Sequence, residues 1–168
     1  MLHAAALTPL AILGSQVWEV LQTGNDALGA DPVAEIEHRL GLWALRLLMA
    51  TLAITPLRQL TGQAELVRFR RMLGLYAFFY ACLHFSAYLV LDLRGYWMLI
   101  FEEIAKRPYI TVGFSGWLLL LPLAVTSTKG WIRRLGRNWA RLHKLVYAAG
   151  MLAVLHFWWL VKSDIREP

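Results

Sequence analysis

The stretch MLGLYAFFYACLHFSAYLVL, residues 72–91, runs for twenty positions without an acid, a lysine or an arginine. A helix rises about 1.5 Å per residue, so a run of this length crosses the roughly 30 Å hydrocarbon core of a bilayer. Four further segments read the same way, at about 2–21, 42–57, 109–128 and 142–161. The first is the weakest, because Pro9, Ser15, Gln16 and Glu19 interrupt it. It lacks the basic start and small-residue cleavage site of a signal peptide and reads as a retained helix. The second is short, with Arg46 near one end. The fourth contains Pro122, which is expected to kink it, and the fifth ends in Phe157-Trp158-Trp159. The expectation is an all-α integral membrane protein, one domain over residues 1–168 with five transmembrane helices.

Composition points the same way. The chain is 58% hydrophobic and 17% charged, with a mean hydropathy of +0.49. A water-soluble domain this apolar would expose large patches prone to association. The eight tryptophans suit a chain that meets a membrane–water interface. A single cysteine, Cys82, excludes an intramolecular disulfide, a CxxCH heme attachment and a four-thiolate iron–sulfur cluster. Within its apolar run Cys82 reads as a small buried hydrophobe.

The formal charge of +6 is concentrated in two loops. One carries Arg58, Arg68, Arg70 and Arg71 against Glu65; the other carries Lys129, Arg133, Arg134, Arg137, Arg141 and Lys144 with no acid. The remaining connections are acidic or balanced: Asp26, Asp31, Glu35 and Glu37 against Arg39, then Asp92, Glu102 and Glu103 against Arg94, Lys106 and Arg107. Cytoplasmic loops gather lysine and arginine, so the N-terminus and both basic loops are expected in the cytoplasm and residue 168 outside. The positive charge then orients the chain in the lipid membrane and does not imply a nucleic-acid partner.

Ionisable side chains within membrane helices are costly and point to function. His84 lies roughly 18 Å along the third helix from its cytoplasmic end, and His156 roughly 21 Å along the fifth. Both helices run outward, so the two imidazoles reach similar depths. Two neutral imidazoles facing each other can supply both axial ligands of a heme iron; a lone membrane histidine more often only bonds a neighbouring helix. His143, at the cytoplasmic start of the fifth helix beside Arg141 and Lys144, could ligate a second heme, touch a quinone or simply sit at the interface. On one ideal helix it would stand about 140° from His156. Arg70 and Arg71 occupy the matching inner depth on the third helix and could pair with heme propionates or quinone oxygens. Arg46 and Lys162 are further propionate partners unless they merely snorkel. His3, at a helix end, and His38, in an outer loop, have no assigned role.

Several short motifs then appear in order: Gly29-Ala30-Asp31-Pro32-Val33, Thr55-Pro56-Leu57, and Arg70-Arg71-Met72-Leu73-Gly74-Leu75 leading to His84. They continue with Arg107-Pro108-Tyr109, Thr126-Ser127-Thr128, and Leu142-His143 leading to His156. Together they resemble the MsrQ (YedZ) family, heme-binding membrane subunits of bacterial methionine sulfoxide reductase systems within the ferric-reductase-like transmembrane group. The resemblance implies a b-type heme protein of the bacterial inner membrane, with residue 168 in the periplasm. It implies electrons taken from the quinone pool or a cytosolic flavin reductase. They would pass to a periplasmic molybdenum-containing reductase that repairs oxidised methionines. It also associates flavin mononucleotide (FMN) with the subunit, and it matches His84, His143 and His156 to the family's heme-associated histidines. The family usually has a sixth helix and an earlier, basic N-terminus.

On this reading the chain is an electron-transfer subunit and not the catalytic one. Electrons enter near Arg70, Arg71 and His143, and one heme, or two if His143 holds a second, carries them outward. The chain has no GxGxxG fingerprint and no nucleotide-binding domain to take hydride from NAD(P)H. Two rivals stand beside it: a small transporter or scaffold without heme, and a reductase acting directly on ferric chelates. Transporters are commonly built from inverted repeats. Here Pro122 is a single break, and the nearest internal repeat is Leu83-His84-Phe85 echoed by Leu155-His156-Phe157.

Overall fold

A computed structural model of the chain describes residues 2–96 and 98–164, with only the backbone at 163 and 164. Residue 168, expected beyond the outer face, lies outside the described residues. Helix α1 (Leu2–Thr23) contains Pro9 and is held by Tyr80, whose hydroxyl donates to the Ala6 carbonyl at 2.8 Å. Helix α2 (Pro32–Thr61) begins ten residues before the position hydropathy suggests. Its start is built by Asp31, which accepts from the N–H groups of Val33 and Ala34, with proline at the first helical position.

The charged first turns of α2 conceal it from a hydropathy scan, yet those charges are satisfied locally. Glu35 pairs with Arg39 one turn on, and Arg39 also donates to Gln16 of α1. His38 is therefore a helical residue, not a loop residue, and its ring lies 6.3 Å from that of Phe157. The helix ends at Gly62, whose φ of 71° provides the left-handed cap.

A 3₁₀ turn at Ala64–Leu66 leads into α3 (Val67–Ala87), and a π-helical turn at Tyr88–Asp92 follows it. The acidic connection beyond contains an unexpected short helix, α4 (Leu99–Lys106), carrying the ion pairs Glu102–Lys106 and Glu103–Arg107. Helix α5 (Pro108–Val125) opens on a proline. It stops three residues before the expected end, where the Thr126 and Ser127 hydroxyls bond back to the carbonyls of Pro122 and Leu123. The second basic loop is folded into α6 (Lys129–Leu135) and α7 (Arg137–Leu142), separated by Gly136, before α8 (Leu145–Asp164).

Among the described residues, five helical segments are long and apolar enough to cross a membrane: 2–23, 32–61, 64–92, 108–125 and 137–162. Large apolar side chains such as Trp18, Met151, Val154 and Trp158 face outward, as a lipid solvent permits. The chain is a multi-pass, all-helical membrane protein. Inside it, α2 packs chiefly on α3, and α5 on α8, while α2–α8 and α3–α5 contacts join the two pairs. The shared core includes Leu48, Ala77, Tyr80, Leu120 and Ala149.

Candidate functional site

His84 of α3 and His156 of α8 face each other with ring centres 6.3 Å apart and planes at 65°. Each ring is fixed from behind by a main-chain carbonyl. His84 Nδ1 donates to the Glu37 carbonyl at 2.9 Å, and His156 Nδ1 to the Tyr109 carbonyl at 2.8 Å. A carbonyl can only accept, so Nδ1 carries the proton in both neutral rings and Nε2 keeps its lone pair. No hydrogen bond engages either Nε2 among the described residues. This is the orientation that outer hydrogen bonds impose on ligating histidines.

The spacing suits a metal placed between the two rings. With metal–nitrogen bonds of about 2 Å, two imidazoles bound end-on to one ion have ring centres roughly 6 Å apart. Among the described residues, no three His, Cys, Asp or Glu side chains gather to hold a bare metal ion. Two nitrogens alone suit an iron whose remaining ligands come from a macrocycle. Elsewhere between α3 and α5, Phe85 lies against Phe114 and Trp117 at ring separations of 5.6 and 5.0 Å. Trp117 donates its indole N–H to Cys82 Sγ at 3.4 Å, so the cysteine is a packed thiol of this contact.

The inner residues are arranged differently. His143 does not share a helix with His156: α7 ends at Leu142 and α8 starts at Leu145, so the 140° expected on one continuous helix does not apply. Its ring stacks on Trp139 at 3.9 Å and its Nδ1 donates to the Trp139 carbonyl, while Nε2 is buried without a partner. Arg70, in the first turn of α3, is close enough to act on His143 electrostatically; Arg71 beside it is exposed. Neither arginine is in an ion pair among the described residues. Arg46 and Lys162 lie over the rings of Trp43 and Trp158, each at 5.0 Å. Because α2 starts early, Arg46 sits well inside that helix and not near its end. His3 donates to, or accepts from, the Tyr76 hydroxyl at 2.8 Å.

The two carbonyl anchors are what side-chain reasoning could not find, since any residue type can supply a carbonyl. One regularity does mark them. Each anchor precedes its histidine by 47 positions. Glu37 and Tyr109 are therefore 72 positions apart, like the two histidines and the two Leu-His-Phe triplets.

The sequence pattern of the ferric reductase like transmembrane component family matches residues 40–158, which contain both histidines. A protein from Xanthomonas axonopodis pv. citri (strain 306) is 77% identical over 168 residues, all of this chain and 77% of the relative. One from Xanthomonas campestris pv. campestris (strain 8004) is 77% identical over 166 residues, 99% of this chain and 76% of the relative. A more distant protein from Herminiimonas arsenicoxydans is 48% identical over an alignment of 171 residues, covering this whole chain and 76% of the relative. All three bear the name protein-methionine-sulfoxide reductase heme-binding subunit MsrQ. No solved structure matches the chain significantly. With the paired membrane histidines in place, these similarities mean that the chain belongs to the ferric-reductase-like transmembrane family and, within it, to the MsrQ subunits.

Proposed function

We propose that this chain is a b-type heme-binding membrane subunit that relays electrons across the bacterial inner membrane to a methionine sulfoxide reductase. The observation that carries the reading is the pair of carbonyl-anchored imidazoles, His84 and His156, on separate membrane-spanning helices with both Nε2 atoms free. A heme held between them would supply a reversible one-electron carrier in an apolar setting. The chain's own part is to fix both rings and keep their tautomers through the Glu37 and Tyr109 carbonyls. The names of the relatives support both the heme and the reductase partner.

The charge of the basic loops favours a cytoplasmic position for Arg70, Arg71 and His143, where electrons would arrive from a quinone or a cytosolic flavin reductase; FMN is the other carrier the family resemblance suggests. His143, with a buried Nε2 that lacks a partner, is the residue there best placed to receive a ligand. The acceptor on the outer side is a periplasmic molybdenum-containing reductase that repairs oxidised methionines. Among the described residues no three His, Cys, Asp or Glu side chains gather into a cage for a bare metal ion, which disfavours a transporter for such ions.

The test is a dithionite-reduced minus oxidised spectrum of the purified chain and of His84→Ala and His156→Ala. A sharp b-type spectrum lost in both variants is the expected result. A wild-type chain that stays colourless when expressed with heme would overturn the reading in favour of a transporter or scaffold. Rapid reduction of ferric chelates without a protein partner would redirect it to the ferric-reductase alternative.

A further inference from the structure

The 72-residue register extends well beyond the two histidines. Ala77 and Ala149, each two turns before its histidine, are both 1% exposed. Leu48 pairs in register with Leu120, and Thr51 with Leu123; all four are buried. The α2–α3 and α5–α8 pairs occupy equivalent places in this register. Their helices run in the same directions, so the two units form a parallel repeat and not the inverted kind found in many transporters.

The register also holds a pair of glycines, Gly41 and Gly113, each four residues after the carbonyl anchor. In a helix the carbonyl of residue i points along the axis toward residue i+4. An imidazole that donates to that carbonyl must therefore lie against the backbone at i+4, where an ordinary side chain would begin. The distances bear this out. A Cβ built on Gly113 would lie 2.8 Å from His156 Nδ1 and 2.9 Å from its Cε1. One built on Gly41 would lie 3.2 Å from both Nδ1 and Cε1 of His84. A carbon at 2.8 Å forces the ring to move, whereas 3.2 Å requires a yield of a few tenths of an ångström.

We propose that Gly41 and Gly113 are positioning residues: equivalent members of the repeat whose missing side chains let each imidazole reach its carbonyl and present Nε2 to the iron. This rests on the heme reading above and adds to it a graded prediction. Adding one methyl group at Gly113 displaces His156 from the Tyr109 carbonyl, and adding one at Gly41 displaces His84 less. Gly116 is the internal control. It lies one turn further along α5, and its Cβ would meet Leu152, Ala149 and Ala153 at ordinary distances of 3.5–4.0 Å and neither histidine.

The experiment compares wild type, Gly41→Ala, Gly113→Ala and Gly116→Ala in the full chain. It measures membrane level, heme per chain, and carbon monoxide binding by the reduced protein. Carbon monoxide takes an axial position only when an imidazole has let go, which a merely structural defect would not produce. Expected are a loss of heme affinity on the order of tenfold for Gly113→Ala, a smaller loss with partial carbon monoxide binding for Gly41→Ala, and wild-type behaviour for Gly116→Ala. If Gly113→Ala fails to accumulate, the milder Gly41→Ala still decides. Wild-type heme content without carbon monoxide binding in the accumulating glycine variants would overturn the proposal while leaving the heme reading intact, as would equal damage in Gly116→Ala. A wild-type chain without heme would overturn both.

Discussion

His156 Nδ1 donates to the Tyr109 carbonyl at 2.8 Å, and that carbonyl sits in the first turn of α5, directly after Pro108. Pro108 fixes the entry into α5, the entry fixes the carbonyl, and the carbonyl fixes the imidazole. The same chain of dependence runs from Asp31 and Pro32 through Glu37 to His84. Both imidazoles are thus oriented by helix starts near one face of the membrane. On the proposed heme ligation, replacing either by methionine would keep a soft axial ligand but remove the anchored imidazole. His84→Met or His156→Met is expected to raise the midpoint potential of the bound heme, because histidine–methionine ligation favours the reduced state. Potentiometric titration in detergent reads this directly, and an unchanged or lowered potential in both variants would count against axial roles for the pair.

Tyr80 is 1% exposed, and its hydroxyl ties α3 to the Ala6 carbonyl of α1. Tyr80→Phe leaves that packing nearly unchanged and removes one buried hydrogen bond. A cost of about 1 kcal/mol is expected, read as a lower thermal midpoint in detergent. The heme spectrum should be unaltered, since among the described residues no hydrogen bond or ring contact joins Tyr80 to either anchored imidazole. A changed axial ligation would mean that α1 reaches the site more directly than this contact suggests.

Much of this was legible in the sequence because lipid imposes a simple rule: a spanning segment must be long, apolar and helical. Residues 72–91 obey it, and so do the segments around Leu48, Leu120 and Ala149. His84 and His156 stood out for the same reason, as polar groups where none is cheap. The rule fails where charges neutralise one another along a helix. Glu35 and Arg39 hid the first ten residues of α2, and Glu102 and Lys106 hid α4. It also cannot see main-chain chemistry, so Glu37 and Tyr109 carried no signal as residue types. Gly41 and Gly113 carried no signal either, because what matters at each is the space left for a histidine ring.

Asp31 provides a way to disturb one half of the repeat without touching either histidine. Its carboxylate accepts from Val33 and Ala34 at 3.1 Å each, holding the turn just before Glu37. Asp31→Ala should cost about 1 kcal/mol of stability and loosen the helix start that orients His84. Asp31→Asn retains an acceptor and should recover most of the loss. Thermal melts of the three proteins, followed at the heme band, test the order wild type, Asn, Ala. Indistinguishable melts would show that packing of α2 on α3 alone holds this end.

On the proposed topology, His143 lies on the cytoplasmic side of the outer pair His84 and His156. Its ring belongs to the turn between α7 and α8, clamped on Trp139, and it makes no ring contact with His84 or His156. His143→Ala is therefore expected to retain the bis-imidazole heme of the outer pair, with its spectrum and carbon monoxide resistance intact. What should fall is the rate at which that heme is reduced by a quinol or by reduced flavin added from the cytoplasmic side. A fall in heme from two per chain to one would identify His143 as the ligand of a second, inner heme, and an unchanged ratio with slowed reduction would make it a contact for the donor. Complete loss of heme in His143→Ala would contradict the assignment of the outer site to His84 and His156, because nothing in the geometry gives this ring a role in holding either of them.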